Sequence, residues 1–202
     1  GNYLNAYCSK EPLLTINVYE VDSPLVEVPK KSERLVLQSF SQNKKITVRY
    51  LNHACLYFEV QDGIKFATDP WILGPAFQNG WWLERESPAD SFKLLNGCDF
   101  IYISHNHPDH LHPESLRFIR PDMQFLVPSF QSGSTAGYLR ALGFKNIVES
   151  AFDKTLAFEK EQYSFSVLKS GDFRDDSGLM IQLGSFSALL TVDSNFLDFQ
   201  RF

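Results

Sequence analysis

The sequence predicts a layered α/β (α+β) fold whose sheets are covered by helices, and three observations carry that prediction. Runs rich in β-branched and aromatic residues begin at Ile46, and the second and third are joined through Gln61-Asp62-Gly63, a hairpin signal. The short apolar runs at 100–103 and 124–127 read as buried, parallel-type strands and alternate with helix signals. Beyond residue 147 strand-like runs follow one another, which adds antiparallel strands to the parallel ones.

Residues 1–45 read as an extension packed on the main domain, with β-like runs at Leu13–Tyr19 and Arg34–Gln38 broken by Pro24 and Pro29. The main domain occupies 46–202. Its first strands are Ile46–Leu51, Ala54–Val60 and Ile64–Thr68, the last ended by Asp69-Pro70-Trp71, where Pro forces an exit from the sheet. A long loop, Ile72–Glu86, carries Gly74-Pro75, Gly80 and Trp81-Trp82. Ser87 is placed to cap a helix with Pro88 in its first turn, running to about Asn96 before Gly97. After Phe100–Ile103, His112 or its neighbour opens a second helix with Pro113 at the first position, reaching Ile119. Gln124–Val127 is a strand, and Ser134–Leu142 a helix stopped by Gly143. Ile147-Val148, Tyr163–Leu168, Leu179–Leu183 and Ser187–Val192 are strands.

Composition narrows the function. The 202 residues suffice for one domain with a real core, and a hydrophobic fraction of 44% excludes a disordered chain. A net charge of −5 without a basic run argues against nucleic acid or an anionic membrane as partner. No apolar run reaches the length of a membrane span and no signal peptide opens the chain. The leading Gly without Met reads as a trimmed start. Cys8, Cys55 and Cys98 are odd in number and widely spaced, so a reducing cytoplasm is the expected compartment.

Four of the five histidines, His105, His107, His110 and His112, fall within residues 105–112. In an extended segment His105 and His107 point the same way and can reach one metal ion. Pro108 turns the chain, and Asp109 and His110, at a helix opening, could face the same cavity. Imidazoles with a carboxylate suit zinc, and manganese or iron when more oxygen ligands join. Two ions about 3.5–4 Å apart would hold a bridging hydroxide, a nucleophile at neutral pH. Trp71, Trp81, Trp82 and Phe77 could make an apolar or sugar-stacking wall, although core packing accounts for some of them.

His-x-His-x-Asp-His after a short apolar strand resembles the signature of the metallo-β-lactamase superfamily. Asn52–Glu59 and Thr68-Asp69-Pro70-Trp71 resemble the second strand and the Asp-Pro loop of its ascorbate-phosphate lactonase branch. Asp69–Phe77, Gly80-Trp81-Trp82-Leu83 and Tyr102–Leu111 are similar to the CMP-N-acetylneuraminate hydroxylase group. The resemblance covers about residues 46–195. It implies a four-layer αββα sandwich with the metal site at one edge. It also implies that His105 and His107 bind a first metal, Asp109 and His110 a second, and Asp193 bridges them. Asp109 would be a ligand and a proton acceptor. Asp69 would support a ligating imidazole. His53 is expected as a supporting or pocket histidine rather than a ligand, and His112 as a cap or pocket residue, more readily solvent-facing.

Two ligand positions of that pattern are unfilled. The stretch 169–178 lacks the family's third histidine, and Asp172, Asp175 or Asp176 could replace it or simply decorate a turn. The family's last histidine lies well beyond the bridging aspartate, whereas this sequence stops nine residues after Asp193, so a shortened C-terminus is expected. The Rieske centre of the hydroxylase group needs paired Cys and His, which this sequence lacks. The expected function is therefore hydrolysis of an ester, lactone or phosphodiester, on a small anionic or sugar-containing substrate, by a hydroxide held on one or two zinc ions. The first alternative is an iron-dependent oxidoreductase or hydroxylase of a sugar or nucleotide sugar that needs a partner. The second is a metal-binding fold without catalysis.

Overall fold

The computed structural model describes residues 44–152, 154–158 and 163–196, so the expected extension lies almost wholly outside the described residues. The described chain forms two sheets and three helices in the order β1 (Ile46–Asn52), β2 (Cys55–Val60), β3 (Lys65–Thr68), α1 (Ser91–Asn96), β4 (Phe100–Tyr102), α2 (Pro113–Leu116), β5 (Gln124–Pro128), α3 (Ser134–Ala141), β6 (Ile147–Ser150), β7 (Thr155–Phe158), β8 (Tyr163–Lys169), β9 (Ser177–Leu183) and β10 (Phe186–Leu190).

The first sheet runs β1-β2-β3-β4-β5-β6. Its first three strands are antiparallel, and β3 through β6 are parallel with α1, α2 and α3 in the crossovers. The Asp62-Gly63 turn forms as the sequence predicts, with Asp62 at φ 52° and the Gly63 N–H donating to the Val60 carbonyl. The second sheet is antiparallel, in the order β10-β9-β8-β7.

Why β4 is apolar throughout now has a geometric answer. Ile101 and Ile103 face Leu95, Leu116, Ala136 and Leu139 of the helix layer, while Phe100 and Tyr102 face the second sheet. Phe58, Phe66 and Phe100 stack in a row across β2, β3 and β4, with centroids 4.6 and 5.1 Å apart. Phe165 of β8 meets both Phe66 and Phe100 edge-on at 5.0 Å. Register aligns Tyr163, Phe165 and Val167 with Leu183, Ile181 and Leu179, so both strands turn the same alternation inward.

The described residues thus form a helix layer and two sheets of a metallo-β-lactamase-type α/β sandwich. No helix over the outer face of the second sheet is among them, and none of the described helices is long and apolar enough to cross a membrane. Three local expectations change. The first helix begins at Ser91, because the Ser87 hydroxyl is taken: it donates to the Ile72 carbonyl and accepts from Asn52. The second ends at Leu116. The last strand ends at Leu190, and Val192 at φ 51° turns the chain before Asp193.

Candidate metal centre

The loops leaving the carboxyl ends of β3 and β4 meet at one sheet edge, the crevice where parallel sheets usually hold ligands. Because β2 is antiparallel to β3, the β1–β2 turn comes to the same edge: the Leu56 N–H donates to the Thr68 hydroxyl at 3.0 Å. That turn carries His53, at φ 42°. The loops around Asp176 and Asp193, at the ends of β9 and β10, close the crevice from the second sheet.

Asp69 organises the floor. It is fully buried, and its carboxylate accepts the Ser104 N–H at 2.7 Å, the Ser104 hydroxyl at 2.8 Å and Nδ1–H of His110 at 3.2 Å. With its own proton given to Asp69, the Ser104 oxygen accepts from Nδ1 of His105 at 2.9 Å. One carboxylate therefore fixes both buried imidazoles so that each presents Nε2 to the crevice. After Pro108, the N–H groups of His110 and Leu111 donate to the His107 carbonyl at 3.0 and 2.8 Å. Asp109 and His110 thus sit in a tight turn ahead of α2, not at its opening.

Two groups of side chains result, each with ligand atoms within 4.8 Å of one another: His53, Asp109 and His110, and His105, His107 and Asp193. His105 Nε2 lies 2.8 Å from His107 Nδ1, and His53 Nε2 lies 3.0 Å from Asp109 Oδ2. Asp193 Oδ2 stands between the groups, 3.8 Å from His105 Nε2 and 3.6 Å from His110 Nε2. Of the three acids expected as replacements for the missing histidine, Asp176 is buried with Oδ1 3.6 Å from His105 Nε2. Asp172 is instead held by Arg174 and Ser170, and Asp175 by Ser132. The floor is buried; the mouth, at His53, His107 and Asp193, is open.

The fit to a cation can be tested on the polar atoms. Asp109 Oδ1, His110 Nε2 and Asp176 Oδ2 are buried without a hydrogen-bond partner. Such orphans cost about 1–3 kcal/mol each, and a cation beside Asp109 and His110, which share one ligand group, would satisfy theirs, while Asp176 Oδ2 lies 3.4 Å from Arg174 Nε. The donor set, imidazole nitrogens and carboxylate oxygens, fits a metal ion.

The electrostatics are split. Burial lowers His105 to about 4, helped by repulsion from His110 and His107. Burial also pulls on His110, but the Asp109 and Asp69 carboxylates beside it outweigh that and raise the group to about 10. Burial would raise Asp109, yet hydrogen bonds from His110 and His53 hold it far below the usual carboxylate range. Asp176 is raised by burial, with Arg174 opposing.

His53 is exposed at the mouth and in reach of Asp109 and His110, in keeping with a supporting or pocket histidine. Its signal lay in the hairpin topology, which brings the β1–β2 turn to the edge where β3 ends. One expectation shifts. His112 is not solvent-facing. It is 2% exposed, its Nδ1 accepts the Ser115 N–H as the cap of α2, and its Nε2–H donates to the Pro75 carbonyl at 3.0 Å. Trp71 is a core residue packed on His53 and His112, whereas Phe77, Trp81 and Trp82 are exposed. Sequence reading gave no role to Arg174, whose guanidinium reaches the Asp193 carbonyl, Asp172 and Asp176 and ties together the two loops that carry the acids.

The family described as "Beta-lactamase superfamily domain" matches residues 47–173. A cytidine monophosphate-N-acetylneuraminic acid hydroxylase of Asterias rubens is 35% identical over 158 residues, covering 74% of this chain and 23% of the relative. The chain spans about a quarter of the length of the curated relatives it matches. Among solved structures, a "CmlA beta-hydroxylase E377D mutant" is 27% identical with a TM-score of 0.53, covering 74% of this chain and 30% of that one. A possible metal-dependent hydrolase of Veillonella parvula DSM 2008 has a TM-score of 0.55 at 14% identity, covering 70% and 60%, a likeness of fold alone.

Proposed function

The chain belongs to the beta-lactamase superfamily, and from that premise we propose that it is the metal-binding domain of an iron- or manganese-dependent hydroxylase acting on a sugar or nucleotide sugar. The observation that carries this reading is Asp176, buried beside His105 where the family pattern calls for a histidine. An added carboxylate makes the ligand set richer in oxygen and shifts preference from zinc towards iron or manganese. The Asterias rubens relative and the CmlA structure, both above 25% identity, are named hydroxylases, which supports the same direction.

In this reading His105, His107, Asp176 and Asp193 hold one ion, and His53, Asp109, His110 and Asp193 the other. Iron bound there supplies one-electron and oxygen chemistry, whereas zinc would supply a water acidified to near neutrality. The chain's own residues do the rest. Asp69 orients His110 directly and His105 through Ser104. His110 and His53 hold Asp109 ionised, which keeps its carboxylate available as a ligand. Hydroxylation consumes electrons, so the reading includes a redox partner outside this chain, and a reducing cytoplasm in which Cys55 and Cys98 stay as buried thiols.

Hydrolysis of an ester, lactone or phosphodiester by zinc is the second reading, favoured by Asp193 standing between two ligand groups as in two-metal hydrolytic sites. Elemental analysis of protein purified without added metal separates them. Iron or manganese in excess of zinc is expected. Two zinc ions per chain would overturn the hydroxylase reading, and no bound metal would overturn both and leave a non-catalytic fold.

A further inference from the structure

Phe77, Trp81 and Trp82 expose 37, 54 and 68% of their surface in one loop, an apolar patch that folding leaves uncovered among the described residues. The loop is not slack. Trp71 Nε1–H donates to the Gly74 carbonyl and His112 Nε2–H to the Pro75 carbonyl, both at 3.0 Å. Ala76 and Trp81 exchange backbone hydrogen bonds at 2.9 and 3.2 Å, closing a tight tip. Within that tip Phe77, Gln78 and Asn79 hold φ of 48, 53 and 71° in succession. The left-handed region is disfavoured for Phe and Gln, so the tip holds a strained backbone while it presents these side chains.

What it displays is a corner. The rings of Phe77 and Trp81 are 4.9 Å apart and inclined at 60°, and the Phe77 ring is 6.3 Å from that of His107 at the mouth of the candidate centre. A flat nucleobase fits best on a parallel face or in a parallel-walled slot. A puckered sugar ring can lay its C–H face on one wall of a corner while its hydroxyls reach side amides, and Gln78 and Asn79 are exposed on the same tip. Residues 71–83 carry no charge, which suits the C–H face and hydroxyls of a sugar ring and leaves any carboxylate or phosphate it bears outside the corner.

We propose that Phe77 and Trp81, with the amides of Gln78 and Asn79, form a subsite for the sugar ring of the substrate, opening onto His107. The subsite rests on the sugar or nucleotide-sugar reading above and adds where that ring is held. The test is calorimetric titration of the metal-loaded protein with N-acetylneuraminic acid, CMP and CMP-N-acetylneuraminic acid. For both sugar-bearing ligands, Phe77→Ala and Trp81→Ala should raise Kd about 5–10-fold, the worth of one aromatic contact. CMP affinity, metal content and Tm should stay at wild-type values, and Trp81→Tyr should recover most of the loss. Absence of saturable sugar binding by the wild type would overturn the subsite. So would variants that bind sugar normally, a loss confined to CMP, or a fall in Tm that Trp81→Tyr does not reverse. Binding is read without turnover: a protein that hydroxylates but ignores Trp81 fails this subsite alone, and one that binds through Trp81 without turnover fails only the reaction.

Discussion

A fully buried carboxylate carries a desolvation cost that only donors offset, and Asp69 meets three of them in Ser104 and His110. Its consequence is positional, because two imidazoles are aimed through one acid. Asp69→Asn should therefore weaken metal binding by about 10–100-fold while leaving every proposed ligand in place. Competition titration against a chelating dye measures this, and unchanged affinity would show that Asp69 only fills space. His112 makes a different prediction, about pH. Its Nδ1 must stay unprotonated to accept the Ser115 N–H, and burial lowers its pKa, with the Pro75 carbonyl opposing. A base lowered in the fold contributes stability that is complete above its unfolded pKa near 6.5 and is lost as pH falls through the folded value. His112→Ala should cost about 1–2 kcal/mol at pH 7.5, as other lost caps do. Denaturation at pH 5 should show a smaller gap from wild type; a constant or wider gap would contradict the assigned tautomer.

At the scale of elements, the face between the sheets rests on aromatic rings at right angles. Phe165 touches Phe66, Phe100 and Phe158 at 5.0, 5.0 and 5.5 Å and is wholly buried. Phe165→Ala should cost about 3–5 kcal/mol in urea unfolding, and a loss below about 1 kcal/mol would mean that the sheets repack freely. This packing was legible in outline: Tyr163, Phe165 and Val167 alternate with Ser164 and Ser166, and that period of two fixes the inward face. Thr155–Phe158 was not, because four residues of an edge strand give too little periodicity. The helix start at Ser91 was hidden for another reason, since Ser87 is a good cap whose hydroxyl a distant partner takes first. The candidate centre divides along the same line. His105, His107, Asp109 and His110 could be read from their spacing, whereas Asp193 and Asp176 were reached only through the family resemblance, and pairing of the strands is what brings them and His53 to one edge.

For the molecule as a whole, the candidate centre is the place where the two sheets meet through polar groups. The Ser177 hydroxyl donates to the Ser104 carbonyl at 2.7 Å and lies 2.6 Å from the Tyr102 hydroxyl, and next to it Asp176 faces His105. Asp193 reaches the same histidines from the turn after β10, a strand that among the described residues pairs only with β9. An ion held by Asp176 and Asp193 would therefore pin the far sheet's loops to the first sheet, while β4 and β5 stay secured by the helix layer. A metal at 100 times its Kd adds about 2.7 kcal/mol to the state that binds it. Removing it with a chelator should thus cost stability locally, not evenly. Hydrogen exchange measured before and after chelation should show amides of Phe186–Leu190 opening at least about tenfold faster, a change of about 1.4 kcal/mol, while those of Phe100–Tyr102 and Gln124–Pro128 keep their protection. Uniform loss across both sheets would mean that the ion supports the whole core. No change in β10 would mean that Asp193 does not hold a metal, and the bridging role would pass to another acid.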